Sequence, residues 1–390
     1  MLKNRKIKAF YNTNQVCQED IQSRSYSKSP LKPMLLMQYL TDNGFDQYIE
    51  VESNFEPFSR FDFQMAHTES YVSNFFEGKG NCGSNSLPWS SELVESVRYT
   101  NASLYNAIRY AVHNPSTVTL SPTSGFHHAG PNSGQGFCTF SGQVIAAVKI
   151  FEETGKKAAF LDLDGHFGNS IDDSRSFDAK IDEAIPFNIN PRGSHGAYIQ
   201  DFKRELAKLA DAFFAGDVHY VVWCHGADSH EWDQLGSQCS TEEWIECSKI
   251  FYEWVNEMKD RTMDSIPVTL ALFGGYRDDD YDSVLSLHAS DLRECINRLC
   301  GGSLEYETSV KPAERHYRWI DQALDETPSH SVPTVSEAVQ EDVWSLQSMS
   351  AKEIVDMIEG ALDIRIRINP KNKKRVIKKA YKILIENDYV

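Results

Sequence analysis

The sequence predicts an α/β protein with three layers, in which a central, mostly parallel sheet is covered by helices on both faces. Six short runs rich in Val, Ile, Leu and aromatic residues show little alternation with polar residues, which is typical of strands buried on both faces. These runs are Ile7–Tyr11, Tyr48–Val51, Thr117–Ser121, Ala158–Leu163, Val218–Cys224 and Val268–Phe273. The clearest segments with helical periodicity are Glu92–Val112, Gly142–Glu153, Tyr198–Phe214, Glu242–Lys259 and Asp279–Leu299. Strands and helices that alternate at this spacing indicate right-handed crossovers and a parallel sheet.

Composition and charge restrict the classes of function. The chain has 390 residues with 39 basic and 56 acidic side chains, which gives a net charge of −17. This balance argues against nucleic acid or an anionic membrane as the main partner and favours a cationic ligand. No run of 18 apolar residues occurs, and the apolar run near the N-terminus is too short for the core of a signal peptide. We therefore expect a cytoplasmic protein; the nucleus and a non-standard export route are left open.

The chain divides into a large domain, residues 1–324, a linker, residues 325–349, and a basic segment, residues 350–390. Gly78–Ser90 is rich in Gly, Ser and Asn and predicts a long surface loop within the large domain. Residues 361–390 hold nine basic and three acidic side chains, and an apolar stripe at helical spacing runs through them. One interpretation of this segment is a helix that docks on the acidic domain, and the other is a tail that binds a partner.

Polar residues follow four of the predicted strands directly. In an open parallel sheet, ligands collect at the carboxyl ends of the strands, so these residues form the candidate site. They are His127 and His128 after the third run, Asp162 near the end of the fourth run, Asp164, His166 and Asn169 after it, Asp228 after the fifth and Tyr276 after the sixth. Glycines flank most of them and allow tight turns close to a ligand.

Three of these residues predict a metal site. Asp164 and His166 are two positions apart, so on an extended segment both side chains project to the same side, and Asp228 can join them from a neighbouring strand. Two carboxylates and one imidazole leave a coordination position open, as in catalytic zinc sites. Iron(II), manganese(II) and cobalt(II) also suit this mixed donor set. A lone Asp-x-His is more often a strand-end carboxylate beside a core histidine.

The remaining strand-end residues suit acid–base chemistry. Two carboxylate ligands leave a bound water less acidic than imidazoles do, so a general base is needed, and His127 and His128 have the appropriate side chain. Asp162 is a partner for one histidine, and Asn169 for the other. Tyr276 follows two glycines, and its phenol either faces the metal and stabilises an oxyanion or lies at the surface.

These motifs resemble the zinc-dependent histone deacetylases and their bacterial relatives. The resemblance rests on GFHHAG (125–130), GFCTFSGQVIAA (136–147), LDLDGHFGNS (161–170), GADSHEWDQLG (226–236) and FGGY (273–276), which occur in the order and spacing of that family. Segments 29–33 and 67–71 look like its N-terminal motifs. The resemblance covers roughly residues 5–320, and it implies the arginase–deacetylase fold with an eight-stranded sheet.

Residue by residue, the resemblance implies specific roles. Asp164, His166 and Asp228 correspond to the zinc ligands. His128 corresponds to the general base and acid, His127 with Asp162 to its electrostatic companion, and Tyr276 to the residue that polarises the scissile carbonyl. Gly136 and Phe137 correspond to the wall of the acyl-lysine tunnel, and Asn169 stands where some branches have Asp. A structural potassium ion near the Asp162–His166 strand end is also implied.

Three positions depart from the family pattern. Phe167 replaces a second histidine that is not a ligand. No second tunnel aromatic is found near residues 190–193, and no Asp that would grip a peptide backbone is found near residues 85–88. The departures concern the substrate rather than the reaction.

The sequence therefore predicts a hydrolase that uses a metal-activated water to remove acetyl or related acyl groups from lysine side chains in basic protein tails such as those of histones. A deacetylase of acetylated polyamines or of another cationic small molecule is the alternative. A two-metal ureohydrolase would need more aspartate ligands, and an inactive module that binds acyl-lysine is the alternative from another class. Neither nucleic acid nor a membrane is expected as a partner, and the oligomeric state is left open.

Overall fold

A computed structural model describes residues 5–18 and 27–313. Seven strands form one sheet, and every ladder in it is parallel. The strands are β1 (Ile7–Phe10), β2 (Ile49–Glu52), β3 (Thr119–Ser121), β4 (Ala158–Asp162), β5 (Phe187–Ile189), β6 (Tyr220–His225) and β7 (Val268–Leu272), in the spatial order β2-β1-β3-β7-β6-β4-β5. All six predicted strands are confirmed, and β5 is an edge strand that the sequence analysis did not identify.

Helices connect the strands and cover the sheet. They are α1 (Lys32–Asp42), α2 (Arg60–Phe63), α3 (Glu69–Glu77), α4 (Ser91–His113), α5 (Gly142–Thr154), α6 (Ser170–Ser174), α7 (Lys180–Ala184), α8 (His195–Ala215), α9 (Thr241–Thr262) and α10 (Tyr281–Leu299). The five predicted helices are confirmed to within a few residues. Polar caps define two of their starts: the Ser90 hydroxyl accepts from Leu93 N before α4, and Ser240 forms a capping box with Glu243 before α9.

The two faces of the sheet bury separate apolar clusters, which confirms the three-layer fold. Along β4, Ala159 and Leu161 face one cluster, while Ala158 and Phe160 face the other. The first cluster includes side chains of α1, α8, α9 and α10, and the second includes side chains of α3, α4, α5 and α7. Because both faces are covered, the central strands carry apolar residues at nearly every position.

The expected count of eight strands is wrong for the part of the chain that the structure describes. After α10, residues 301–313 form neither helix nor strand and do not join the sheet. Its backbone instead bonds with side chains of α10: Ser309 N donates to Ser286 Oγ, and Leu304 N donates to Asn297 Oδ1. These bonds satisfy backbone groups that a strand would have offered to a ladder.

The predicted loop 78–90 is confirmed as irregular backbone. It begins at Gly78, whose φ of +65° ends α3, and near its end the Trp89 indole donates to Phe75 O at 2.7 Å. The predicted linker, the basic segment and the end of the large domain at residue 324 lie outside the described residues and stay predictions. Among the helices of the described residues, none combines the length and apolar character that crossing a bilayer requires.

A buried histidine fixes the backbone before α5. His67 has no exposed surface; its Nδ1–H donates to Gly130 O at 2.9 Å, and its Nε2 accepts from Ser141 N at 2.8 Å. Both bonds require a neutral ring, and burial lowers the pKa of His67 from 6.5 to about 3.

Because its pKa is lowered in the folded state, His67 should make the free energy of unfolding depend on pH. Its folded pKa lies below its unfolded pKa, so the unfolded state takes up the proton first, and stability falls as pH drops below 6.5. At pH 5.5 this group alone should cost about 1.4 kcal/mol relative to pH 7.5. In His67→Gln, the loss of unfolding free energy between these two pH values, measured with urea, should be smaller by that amount. Exposed His113→Gln is the control, and equal losses in His67→Gln and wild type would contradict the prediction.

Candidate active site

Four neighbouring strands bring the predicted residues together. The strands β3, β7, β6 and β4 are adjacent in the sheet, and each is followed by residues of the site. The rings of His128 and His166 lie 6.0 Å apart, and those of His166 and Tyr276 lie 6.3 Å apart. The site is therefore built at the carboxyl edge of the sheet, as the sequence predicts.

The candidate metal ligands form one compact cluster. His166 Nδ1 lies 3.0 Å from Asp164 Oδ1 and 2.9 Å from Asp228 Oδ2. Ligand atoms of all three residues lie within 4.8 Å of one another, and both carboxylates are buried. Donors about 2.1 Å from a tetrahedral ion would be about 3.4 Å apart, so a small shift of these side chains accommodates zinc.

Backbone amides hold both carboxylates in place. Gly274 N donates to Asp164 Oδ2 at 2.7 Å, and Gly165 N donates to Asp228 Oδ1 at 2.9 Å. Each carboxylate thus turns one oxygen to the backbone and the other to His166. This division fixes the orientation of the donors before any ion binds, which is the role of outer partners in metal sites.

The electrostatics of the cluster suit a cation. Burial, together with the charge of Asp164, raises the pKa of Asp228 to about 7. Burial also opposes ionisation of Asp164, but the nearby His127 and His166 outweigh it and hold the pKa of Asp164 well below its usual range. A divalent ion in contact with both carboxylates would neutralise their charge, which makes the donor set a fit for zinc or a similar metal.

The adjacent histidines His127 and His128 differ in charge. His127 Nδ1 lies 2.9 Å from Asp162 Oδ2; burial acts to lower the pKa of His127, but Asp164 and Asp162 outweigh it and raise the pKa to about 9. For His128, burial and the charge of His127 lower the pKa to about 3. At neutral pH the site therefore holds one imidazolium and one neutral imidazole, with ring centres 4.0 Å apart.

Asn169 determines which nitrogen of His128 is free. The Asn169 amide nitrogen donates to Asp173, so its Oδ1 accepts from His128 Nδ1 at 2.7 Å. Because Nδ1 carries the proton of the neutral ring, Nε2 is left as the basic nitrogen. The predicted pairings of Asp162 and Asn169 with the two histidines are thus both present.

The Tyr276 phenol belongs to the same site. Tyr276 is buried, its backbone N donates to Asp233 Oδ2 at 2.6 Å, and burial raises the pKa of its phenol well above 10. The phenol is therefore protonated at neutral pH and able to donate a hydrogen bond. The alternative of a surface ring is wrong.

Gly136 and Phe137 lie beside the catalytic groups. Both adopt positive φ, +51° and +62°, and the turn is held by a bond from Phe137 N to Asn85 O. A Cβ on Gly136 would lie 2.7 Å from His128 Cδ2, so glycine is needed there for close approach to that ring. The Phe137 ring lies 5.6 Å from that of Tyr276, and both residues line a narrow cavity together with Asp164.

At the three places where the sequence departs from the family pattern, the structure shows what the residues present do instead. Asn85 is buried and uses its side chain internally, donating to Thr139 Oγ1 and accepting from Leu87 N. Asn190 accepts from Gly168 N at 2.7 Å and so supports the loop after β4. Phe167 is 52% exposed.

Two residues of the site, Asp233 and Lys32, are not predicted from the sequence. Asp233 lies within the fourth quoted motif and accepts the amides of Tyr276 and Leu235. Lys32 lies in segment 29–33, is 1% exposed and donates to Phe273 O and Gly274 O. Both act on the backbone, so no spacing pattern of side chains indicates them.

Comparison with known proteins agrees with the geometry. The family model of the histone deacetylase domain matches residues 27–182. The match includes both histidines, Asn169 and the Asp162–His166 strand end, while Asp228 and Tyr276 follow it and join the site through β6 and β7. The comparison with curated proteins gives no match.

Gly274 offers a test of the metal site that changes no ligand. A Cβ at this position would lie 2.2 Å from the Asp228 carboxylate, which is held by Gly165 N and cannot move freely. Gly274→Ala should therefore lose most of its bound zinc, measured by elemental analysis after dialysis against zinc. Gly196→Ala in α8, where a Cβ meets nothing within 4 Å, is the control. Full zinc content in Gly274→Ala would contradict the assigned cluster.

Proposed function

We propose that the protein is a metal-dependent amidohydrolase of the histone deacetylase type that removes acetyl groups from lysine side chains, and the match of residues 27–182 to the histone deacetylase domain supports this proposal. The observation that carries the proposal is one Asp–His–Asp cluster beside a neutral histidine, a cationic histidine and a protonated phenol. These groups supply a metal site, a base, an electrostatic partner and an oxyanion donor at one edge of the sheet.

Asp164, His166 and Asp228 would hold the ion, for which zinc is our proposal. When bound, the ion would act as a Lewis acid on the acyl carbonyl and lower the pKa of a water molecule. The potassium ion implied near the Asp162–His166 strand end stays part of the proposal.

His128 accepts the proton from the attacking water at Nε2. Its Nδ1–H remains on Asn169 Oδ1, which keeps the ring in the required tautomer and orientation. The imidazolium of His127 stands next to this ring. That charge disfavours a second cation, so His128 is neutral before attack and a strong acid after it.

Tyr276 stabilises the tetrahedral oxyanion that attack produces. Its phenol donates a hydrogen bond that strengthens as negative charge develops on the former carbonyl oxygen. The C–N bond then breaks as protonated His128 donates its proton to the leaving amine nitrogen, which yields a carboxylic acid and a free amine. His128 thus serves first as base and then as acid.

The charge of the chain supports a cationic substrate. Residues 1–360 carry −23, obtained from −17 for the chain and +6 for residues 361–390. A lysine in a basic protein tail fits this potential, and the loop 78–90 and the basic C-terminal segment favour a protein over a small molecule. Acetylated polyamines are the second candidate. An inactive module that binds acyl-lysine is disfavoured, because every residue that the chemistry needs is in place.

A substrate panel tests the proposal. Zinc-loaded protein is incubated with a fluorogenic acetyl-lysine peptide and with acetylated polyamines, with and without a hydroxamate chelator. Hydrolysis of the peptide that the chelator stops is the expected result. Hydrolysis of polyamines alone would move the assignment to a small-molecule deacetylase, and absence of turnover with zinc bound would overturn the deacetylase assignment.

The role of His128 predicts a specific defect. His128→Ala should lower kcat about 10²–10⁴-fold, the usual contribution of one general base. Its zinc content should equal that of wild type, because His128 is not among the three candidate ligands. Steady-state kinetics and elemental analysis on the same preparation check both statements. Loss of zinc together with activity would contradict the division between ligands and base.

The role of the phenol predicts a different defect. Tyr276→Phe should lower kcat on the order of 10²–10³-fold while KM changes little, because the lost hydrogen bond is made mainly in the transition state. The variant retains the ring and its packing against Phe137. An unchanged kcat in Tyr276→Phe would remove the oxyanion role from this residue.

A further inference from the structure

Lys32 is a fully buried cation close to the site. It occupies the first position of α1 and is 1% exposed, which is rare for lysine. Its Nζ donates to Phe273 O and, at 3.1 Å, to Gly274 O. Lys32 thus links the start of α1 to a segment 241 residues later in the sequence. Neither the metal cluster nor the acid–base pair uses this side chain.

The two carbonyls belong to the segment that carries Tyr276. In the peptide group between Phe273 and Gly274, the oxygen accepts from Lys32 and the N–H donates to Asp164. Two residues later, Tyr276 N donates to Asp233. Three buried charged side chains therefore hold this short stretch, and hydrogen bonds to charged groups are about twice as strong as neutral ones.

Gly275 makes such fixation necessary. Its φ is +138°, a backbone conformation that residues with a side chain rarely adopt. Glycine is also the residue with the largest conformational freedom. Without an anchor on the preceding carbonyls, the turn would have other conformations open to it. Each of them would move the Tyr276 phenol relative to the metal cluster.

The charge of Lys32 also has a place in the site. Four carboxylates are buried here: Asp162, Asp164, Asp228 and Asp233. The imidazolium of His127 supplies one positive charge and Lys32 a second, and a divalent ion on Asp164, His166 and Asp228 would supply two more. A buried carboxylate without a compensating cation is costly, which explains why an ammonium group is retained where water does not reach it.

We propose that Lys32 is a positioning residue for hydrolysis: by holding the carbonyls of Phe273 and Gly274, it fixes the turn that aims the Tyr276 phenol at the substrate oxyanion. This inference rests on the proposed function, because it assigns Lys32 to the reaction through Tyr276. A purely structural anchor of α1 is the competing explanation, and it would affect stability without a specific link to the phenol.

A double-mutant cycle separates the two explanations. Lys32→Met, Tyr276→Phe and the double variant are compared in the full-length, zinc-loaded chain with the acetyl-lysine peptide. Lys32→Met should lower kcat about tenfold or more with KM changed less than about twofold. In the Tyr276→Phe background the same change should cost less than about threefold, because the phenol through which Lys32 acts is absent.

Matched controls keep this result interpretable. Lys28→Met, four residues before Lys32 and over the Tyr281 ring, should retain wild-type kinetics. Zinc content should stay at one ion per chain in every variant. If Lys32→Met does not fold, Lys32→Gln, which keeps a donor without the charge, replaces it in the cycle.

An equal loss of kcat in both backgrounds, or no loss in either, would overturn the proposal. Such a result with an active wild type would leave the proposed function intact. A wild type that hydrolyses no acetylated amine would instead overturn the proposed function itself, so the two failures are distinguishable.

Discussion

Four carboxylates buried at one edge of the sheet are the constraint on which the site depends. Asp162, Asp164, Asp228 and Asp233 are all removed from water, and each must be compensated. The structure meets this requirement with His127, Lys32 and backbone amides, and it leaves the pair Asp164 and Asp228 with His166 as donors for a divalent ion. The parallel sheet makes this concentration of charge possible, because the ends of four neighbouring strands meet at one edge.

The same buried charges give the two adjacent histidines different protonation states. Asp164 and Asp162 stabilise the cation on His127, while burial and the charge of that cation lower the pKa of His128 and keep it neutral. A sequence of two histidines therefore gives two different functional groups, because each ring meets a different partner at Nδ1: a carboxylate for His127 and an amide oxygen for His128. Lys32 bonds to the carbonyls of the turn before Tyr276. Buried charged groups therefore contact the proposed base, the candidate ion site and the turn that carries the proposed oxyanion donor.

The sequence predicts much of this fold because its central strands are apolar on both faces and its helices are long and periodic. It misses β5 (Phe187–Ile189), a strand of three residues at the edge of the sheet, of which only Ile189 is fully buried. The candidate metal ligands, both histidines and Tyr276 are predictable since they lie just beyond the ends of strands. Lys32 and Asp233 are not, because they act on backbone groups and their partners are distant in sequence. The sequence does not identify the substrate. At the positions where the family pattern has substrate-contacting residues, Asn85 and Asn190 instead form hydrogen bonds within the protein.

If the proposed function is right, the Asp164–His166–Asp228 cluster binds the ion that hydrolysis requires. The most direct test is to strip the full-length chain of metal with a chelator and to titrate zinc back while recording the initial rate of acetyl-lysine peptide hydrolysis. We expect no hydrolysis by the stripped protein and a rise in the initial rate that saturates at one zinc per chain. A rate that survives stripping, or that does not depend on zinc or another divalent ion, would contradict it.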